Sequence, residues 1–235
     1  MRKIAFLTIL TALIMTSCCN QSQKEKAAIA KLDTMFQELY PADEPGAAVL
    51  ILKGDKIVYD KGFGIADLET GAKIDGNTFF NIASVSKQFT AVAMLQLAEQ
   101  GKISLQDPVK KYFPEFQADF FNDITIAHLL SHTSGIGDYR PREDRNFVLY
   151  ATDEQCYKYM ETLDKLHFTP GTEYQYMNPT FQLCYIIIQR VTGQSFEQYM
   201  KENIFTPAGM DQTVYFSPDK NIPNMSHAYI PVEEK

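Results

Sequence analysis

"NIASVSKQFTAVAMLQLAEQGKISLQDPV", residues 81–109, sets Ser84 and Lys87 three residues apart at the head of a strongly apolar run. Three residues of α-helix rise about 4.5 Å and occupy neighbouring positions on one face, so an amine at Lys87 reaches a hydroxyl at Ser84. A serine hydroxyl is a weak nucleophile until a base takes its proton. A lysine amine can be that base when burial and the positive end of a helix disfavour its charged form. The same helix end offers the Ser84 N–H as one donor to an oxyanion. The competing reading makes Ser84 a helix cap and Lys87 a solvated side chain, and SxxK alone recurs too often by chance to decide between them. After Ser86, the residues Phe89, Val92, Met94, Leu95 and Leu97 fall on nearly every side, which predicts a buried helix over 86–100 stopped by Gly101.

Upstream of this run the pattern is different. Ile29, Leu32, Met35, Phe36 and Leu39 recur every three or four residues, which predicts a helix over 27–40 that Pro41 and Pro45 end. Two β-rich runs, 47–52 and 56–63, flank Gly54-Asp55 and predict a hairpin. Downstream the signals are helical. Asp107-Pro108 opens a turn, Thr125 precedes the short helix "IAHLLSH", and 153–166 has helical character. Pro179 opens a helix over 180–192 that Gly193 closes, and Ser195 with Gln198 forms a capping-box pattern for a helix to about Asn203. The order is a hairpin followed by a long helical region.

The N-terminus carries a processing signal: Arg2 and Lys3, an apolar run from Ile4 to Met15, then small residues before Cys18. A run of twelve residues makes a helix of about 18 Å, short of a hydrocarbon core of about 30 Å, so it is a signal rather than a span. A cysteine directly after the small residues resembles the bacterial lipoprotein signal, in which that cysteine is acylated. The expected division is a signal over 1–17, a tether over 18–26 with Cys18 lipidated, and one domain over 27–235. The protein is then expected in a bacterial cell envelope, anchored on the periplasmic side of a membrane, whereas an ordinary signal cleaved elsewhere would leave it without that anchor. The net charge of −7 and scattered lysines give no surface for phosphate backbones, which excludes nucleic acid as a partner. Cys156 and Cys184 are expected to be free thiols, since Cys184 lies in the apolar run "FQLCYIIIQRV", although an exported pair could be bridged.

A second motif, "PGTEYQYMNPTFQLCYIIIQRVTGQSF", bears on the serine. In an extended segment Tyr176 and Asn178 face one way and Met177 the other. A tyrosine beside an ammonium group can shuttle protons, and an asparagine can orient the lysine or hold a substrate amide. Taken alone, a stacking tyrosine and a turn-forming asparagine explain the same residues. Other chemistries lack their signatures. No GxSxG turn supports a Ser-His-Asp hydrolase. His128 and His132 have a zinc-compatible spacing, but no glutamate follows the first as in HExxH, so they are expected to be structural.

Together, SVSK, Tyr176-Met177-Asn178, "ITIAHLLSHTSGI" and "VTGQSFEQYMKENIFTPAGMDQT" resemble the serine β-lactamase and penicillin-binding-protein superfamily, in its class C-like branch. The resemblance runs from about Ala27 to Ser217. It implies an α+β fold, an antiparallel sheet beside a helical subdomain with the active site between them. It implies acyl-enzyme chemistry on a β-lactam, a D-amino-acid peptide or an ester. Ser84 would be the acylated nucleophile, Lys87 its proton partner, Tyr176 the general acid/base and Asn178 a substrate-binding partner, with no metal or organic cofactor. In that frame residues 132–135 form a structural loop. Met177 and Pro179-Thr180-Phe181 depart from the family pattern of a small residue and a glycine-aromatic pair. The family's late Lys/His-x-Gly motif and the strands around it have no counterpart before Lys235, so the chain is expected to be truncated relative to the family. A non-catalytic lipoprotein that binds cell-wall peptides is the alternative, and the oligomeric state is not set.

Overall fold

In a computed structural model that describes residues 23–137, 153–215 and 220–229, the first element is a helix over 23–39, α1. The signal segment and Cys18 lie outside the described residues, and α1 begins within the segment expected as a tether. Phe36 of α1 packs 5.5 Å from Phe63 and 6.2 Å from Tyr59 between ring centroids. Those rings belong to β2 (Lys56–Phe63), which pairs antiparallel with β1 (Ala47–Lys53). Lys53 lies opposite Lys56, so Gly54-Asp55 is the two-residue turn, and Gly54 takes a φ of 59° that a Cβ would strain. Asp33 fixes α1 to β2 by accepting from Tyr59 Oη at 2.6 Å and from Lys61 Nζ at 2.7 Å.

A second ladder, β3 (Ile65–Asp67) with β4 (Ala72–Lys73), has no counterpart in the sequence pattern, because strands of three and two residues show no period. It forms around Asp67, whose carboxylate accepts from Glu69 N–H at 2.9 Å and Thr70 Oγ1 at 2.8 Å. The late segment joins these elements: Phe79 N–H bonds to Asn224 O at 2.9 Å, and His227 N–H to Ala66 O at 2.9 Å. The chain divides into two compact units, Met1–Asn81 with Ser217–Lys235, and Ile82–Phe216.

The second unit is helical. It holds α2 (Lys87–Glu99), α3 (Val109–Tyr112), α4 (Ile126–Leu130), α5 (Asp153–Glu161), α6 (Pro179–Thr192) and α7 (Phe196–Met200). α2 buries Thr90, Ala93, Met94 and Leu97, a single stripe at helical spacing, while Val92 and Leu95 are 44% and 49% exposed. The expectation of a helix buried on all sides is therefore corrected: apolar composition all round did not translate into cover all round. α5 ends at Glu161 rather than near Leu166, since the chain leaves the helix to give His167 N–H to Gly135 O at 2.8 Å. Capping of α7 is one-sided. Ser195 Oγ accepts from Gln198 N–H, but the Gln198 side chain donates to Glu202 instead of turning back. α7 then widens into a π turn over Lys201–Phe205.

The core of this unit gathers Met94 and Leu97 of α2, Phe113, Phe116, and Leu183 and Ile187 of α6, with the Phe113 and Phe116 rings stacked at 4.8 Å. Cys184 is a free thiol in this core, and burial pushes it up to about 12. The side chain of Cys156 lies outside the described residues. No helix among the described residues is long and apolar enough to cross a membrane.

Glu115 and Arg190 close the edge of this core. Arg190 donates to Glu115 Oε1 at 2.6 Å and to Tyr112 O, and its guanidinium lies 4.6 Å from the Phe113 ring centroid. Burial pushes the Glu115 carboxyl up, but hydrogen bonds from Arg190 and Tyr157 outweigh it and bring it down to about 2. A carboxyl depressed in the folded state stabilises the fold above its unfolded value of about 4.3, and that contribution disappears as pH falls towards the folded value. The stability difference between the parent and Glu115→Gln should therefore be largest above about pH 5 and shrink between about pH 4 and 2. Urea midpoints measured across that range check it; a constant difference would refute the linkage.

Candidate active site

The apolar run does not open its helix at Ser84. Residues Ala83–Ser86 form a 3-10 turn, and α2 starts only at Lys87. Ala83 stands at φ 45°, a left-handed conformation that costs a residue with a Cβ. The first bond of the turn runs from Val85 N–H to Ile82 O at 3.0 Å, so the Ser84 N–H precedes the ladder. Neither this turn nor α2 has a side-chain cap. The helix-cap reading of Ser84 is thereby ruled out.

Its hydroxyl is engaged elsewhere. Ser84 Oγ receives Lys87 Nζ at 3.1 Å and Tyr176 Oη at 2.6 Å. The ammonium also donates to Asn178 Oδ1 at 2.7 Å. Lys87 Nζ stands 5.0 Å from the Tyr176 ring centroid and 5.7 Å from that of Phe181, within range of cation–π attraction. The structure thus brings together all four residues that the sequence singled out in this region. Ser84 is exposed and Lys87 half-buried, so the hydroxyl faces solvent while the amine is held behind it.

Tyr176 and Asn178 reach this point because the chain before α6 alternates. Met177 turns the other way and is 4% exposed, while Tyr176 is 44% exposed. Asn178 directly precedes Pro179, the first residue of α6, yet its side chain does not cap that helix and remains available to Lys87. The departures from the family pattern have visible uses here. Thr180 is buried and its Oγ1 donates to Met177 O at 3.1 Å, and Phe181 supplies one of the rings beside Lys87.

The segment is held from behind by the loop after α4. Gln175 N–H donates to His132 O at 2.9 Å, Gly171 N–H to Thr133 O at 2.8 Å, and His167 N–H to Gly135 O at 2.8 Å. Gly135 has φ +76°, and a Cβ there would stand 2.1 Å from Phe168 O. Gly135→Ala should cost about 2–4 kcal/mol of stability, combining a left-handed alanine with a backbone collision. Chemical denaturation of the variant beside the parent measures this.

Both histidines of the "HLLSH" pair are engaged by main chain. His128 Nδ1 accepts from Thr125 N–H while Thr125 Oγ1 accepts from His128 N–H, a reciprocal cap on α4. His132 Nδ1 accepts from Met177 N–H at 3.2 Å. Burial first, and the charge of Lys87 second, hold the His132 imidazole below its usual range. Among the described residues no group of three His, Cys, Asp or Glu side chains is placed to hold a metal. Sequence reasoning missed that His132 touches this cluster. Its ring centroid is 4.5 Å from that of Tyr176, a contact between residues too far apart in sequence for any local pattern to show.

Comparison with known proteins bears on what such a cluster belongs to. The family model described as Beta-lactamase matches residues 32–233. Protein flp of Staphylococcus aureus (strain MW2) is 34% identical over 202 residues, which cover 83% of this chain and 39% of flp. The octameric penicillin-binding protein homologue from Pyrococcus abyssi superposes with a TM-score of 0.72 at 29% identity, over 90% of this chain and 48% of that one. EstCE1, a hydrolase with promiscuous acyltransferase activity, gives a TM-score of 0.69 at 26% identity, over 90% and 57%. The chain therefore spans between 39% and 57% of the length of these relatives. Matched by that family model over most of its length, and with an α+β fold shared with a penicillin-binding protein homologue, the chain belongs to the beta-lactamase family.

Proposed function

We propose that the chain is a β-lactamase-related serine hydrolase that forms an acyl-enzyme at Ser84. One observation carries this reading: Ser84 Oγ lies 3.1 Å from Lys87 Nζ and 2.6 Å from Tyr176 Oη, with Lys87 itself held by Asn178. Ser84 Oγ attacks the carbonyl carbon of an amide or ester as its proton passes into the Tyr176–Lys87 pair. Of that pair, the phenol oxygen stands nearer to Ser84 Oγ, at 2.6 Å, and the amine at 3.1 Å, so both are within reach of the proton in flight. The Ser84 N–H, ahead of the 3-10 ladder, donates to the oxyanion that forms. Collapse breaks the bond to the leaving nitrogen or oxygen, which takes the proton back from Tyr176. Water then attacks the ester at Ser84, giving its proton to the same pair, and releases the acid and the free serine.

The substrate classes proposed are β-lactams, D-amino-acid peptides and esters. Likeness to a penicillin-binding protein homologue supports the first, and likeness to EstCE1, a hydrolase with acyltransferase activity, supports acyl transfer to water without choosing among the three. Intact-mass analysis after exposure to benzylpenicillin and to a fluorophosphonate tests the reading, with the adduct mapped to the peptide containing Ser84. An adduct there, with turnover of nitrocefin, a D-Ala-D-Ala peptide or a p-nitrophenyl ester, supports it and ranks the substrates. Absence of any adduct sinks it and favours binding of cell-wall peptides without catalysis. We also propose that Cys18 carries a lipid that anchors the protein in the cell envelope. An alkynyl fatty acid fed to the expressing cells should label the parent and not Cys18→Ser.

A further inference from the structure

His132 holds the chain on both sides of Tyr176. It stands at φ 58°, in the left-handed region, at the end of the turn that follows α4. Its carbonyl accepts the N–H of Gln175 at 2.9 Å, and its Nδ1 accepts the N–H of Met177 at 3.2 Å. The residue between these two anchors is Tyr176. The imidazole also lies against the Tyr176 ring at 4.5 Å and against the Phe181 ring at 5.2 Å. One residue thus sets both the backbone and the ring plane of the group whose oxygen bonds to Ser84.

The bond to Met177 fixes the tautomer. An N–H that donates to Nδ1 requires that nitrogen to be unprotonated, so the ring proton sits on Nε2. Adding a second proton places one donor against another, and the bond is lost. We propose that His132 is a positioning residue for Tyr176, effective only as the neutral Nε2–H imidazole, so that its protonation in acid disengages Tyr176 from Ser84. This rests on the acyl-enzyme reading of Ser84. The titratable groups that face the ring are Lys87 from α2 and Tyr174 and Tyr176 from the segment before α6; Phe181 of α6 carries no charge. Of these, the Lys87 ammonium opposes a second positive charge on the imidazole, as burial does.

The test compares the parent, His132→Asn and His132→Leu. Asparagine keeps an acceptor near the Nδ1 position and tolerates a left-handed φ, but does not titrate. The second-order rate of fluorophosphonate labelling, followed from pH 4.5 to 9, should fall on an acid limb in the parent. His132→Asn should restore labelling at pH 7.5 to within a few-fold and lose that limb, while His132→Leu should label about 10²-fold more slowly, as misplacement of a catalytic group does. An acid limb unchanged in His132→Asn, or a His132→Leu variant that labels at the parent rate, overturns the proposal while leaving Ser84 dependence intact. If Ser84→Ala labels like the parent, the acyl-enzyme reading itself fails. A measurement free of activity decides the tautomer: nitrogen-15 shifts of the His132 ring at pH 8 should show an unprotonated Nδ1. Protection of the Met177 amide against exchange, relative to its intrinsic rate at each pH, should fall as the ring is protonated. A protonated Nδ1 at pH 8 refutes the proposal whatever the labelling shows.

Discussion

Ser84→Ala should slow covalent labelling by penicillin or fluorophosphonate by at least about 10⁴-fold, because Ser84 Oγ is the hydroxyl on which Lys87 Nζ and Tyr176 Oη converge. Stability should change little. Ser84 is exposed and caps no helix, so its truncation removes neither core volume nor a terminal hydrogen bond, and the change should stay within about 0.5 kcal/mol. That pairing of a large kinetic loss with a small thermodynamic one separates a nucleophile from a structural serine. Labelling of the variant at the parent rate would move the acylated residue elsewhere.

Lys87→Met should lower the acylation rate by about 10³-fold, within the range that positioned proton transfer contributes. The variant keeps the length of the stem and removes the ammonium that touches both Ser84 Oγ and Asn178 Oδ1. Lys87→Arg is the sharper comparison. A guanidinium keeps the charge near the Tyr176 and Phe181 rings but cannot give up a proton at any working pH. If Lys87 serves in proton transfer, arginine should be nearly as impaired as methionine. Recovery to within about ten-fold in the arginine variant would mean that the charge alone suffices, acting through electrostatics rather than by carrying the proton.

Much of this arrangement was legible in the sequence where local chemistry sets local structure. Gly54-Asp55 between β-rich runs gave the hairpin, and Pro179 and Gly193 bracket α6 at the residues where the structure begins and ends it. Ser84 and Lys87 could be paired because helical and 3-10 spacing both bring them together. What escaped depends on partners distant in sequence or on elements too short to repeat. The exposure of Val92 and Leu95 is decided by what packs against α2, which its own composition does not encode. β3 and β4 are held by the Asp67 turn and by the late segment rather than by a pattern of their own. His132 sits in a loop, where no period exists, and its role is visible only once Met177 and Tyr176 are seen against it.

The bond from Tyr176 to Ser84 joins residues 92 apart, and that from Lys87 to Asn178 joins residues 91 apart. Closing loops of that length costs chain entropy before any of the contacts is gained. A chain still being synthesised, or one whose α6 has not docked on α2, therefore carries Ser84 with its local neighbour Lys87 but without Tyr176 on the hydroxyl or Asn178 on the amine. On the acyl-enzyme reading, the full constellation around Ser84 would then be assembled only with the docking of α6 on α2, and an immature molecule would lack the tyrosine that completes it.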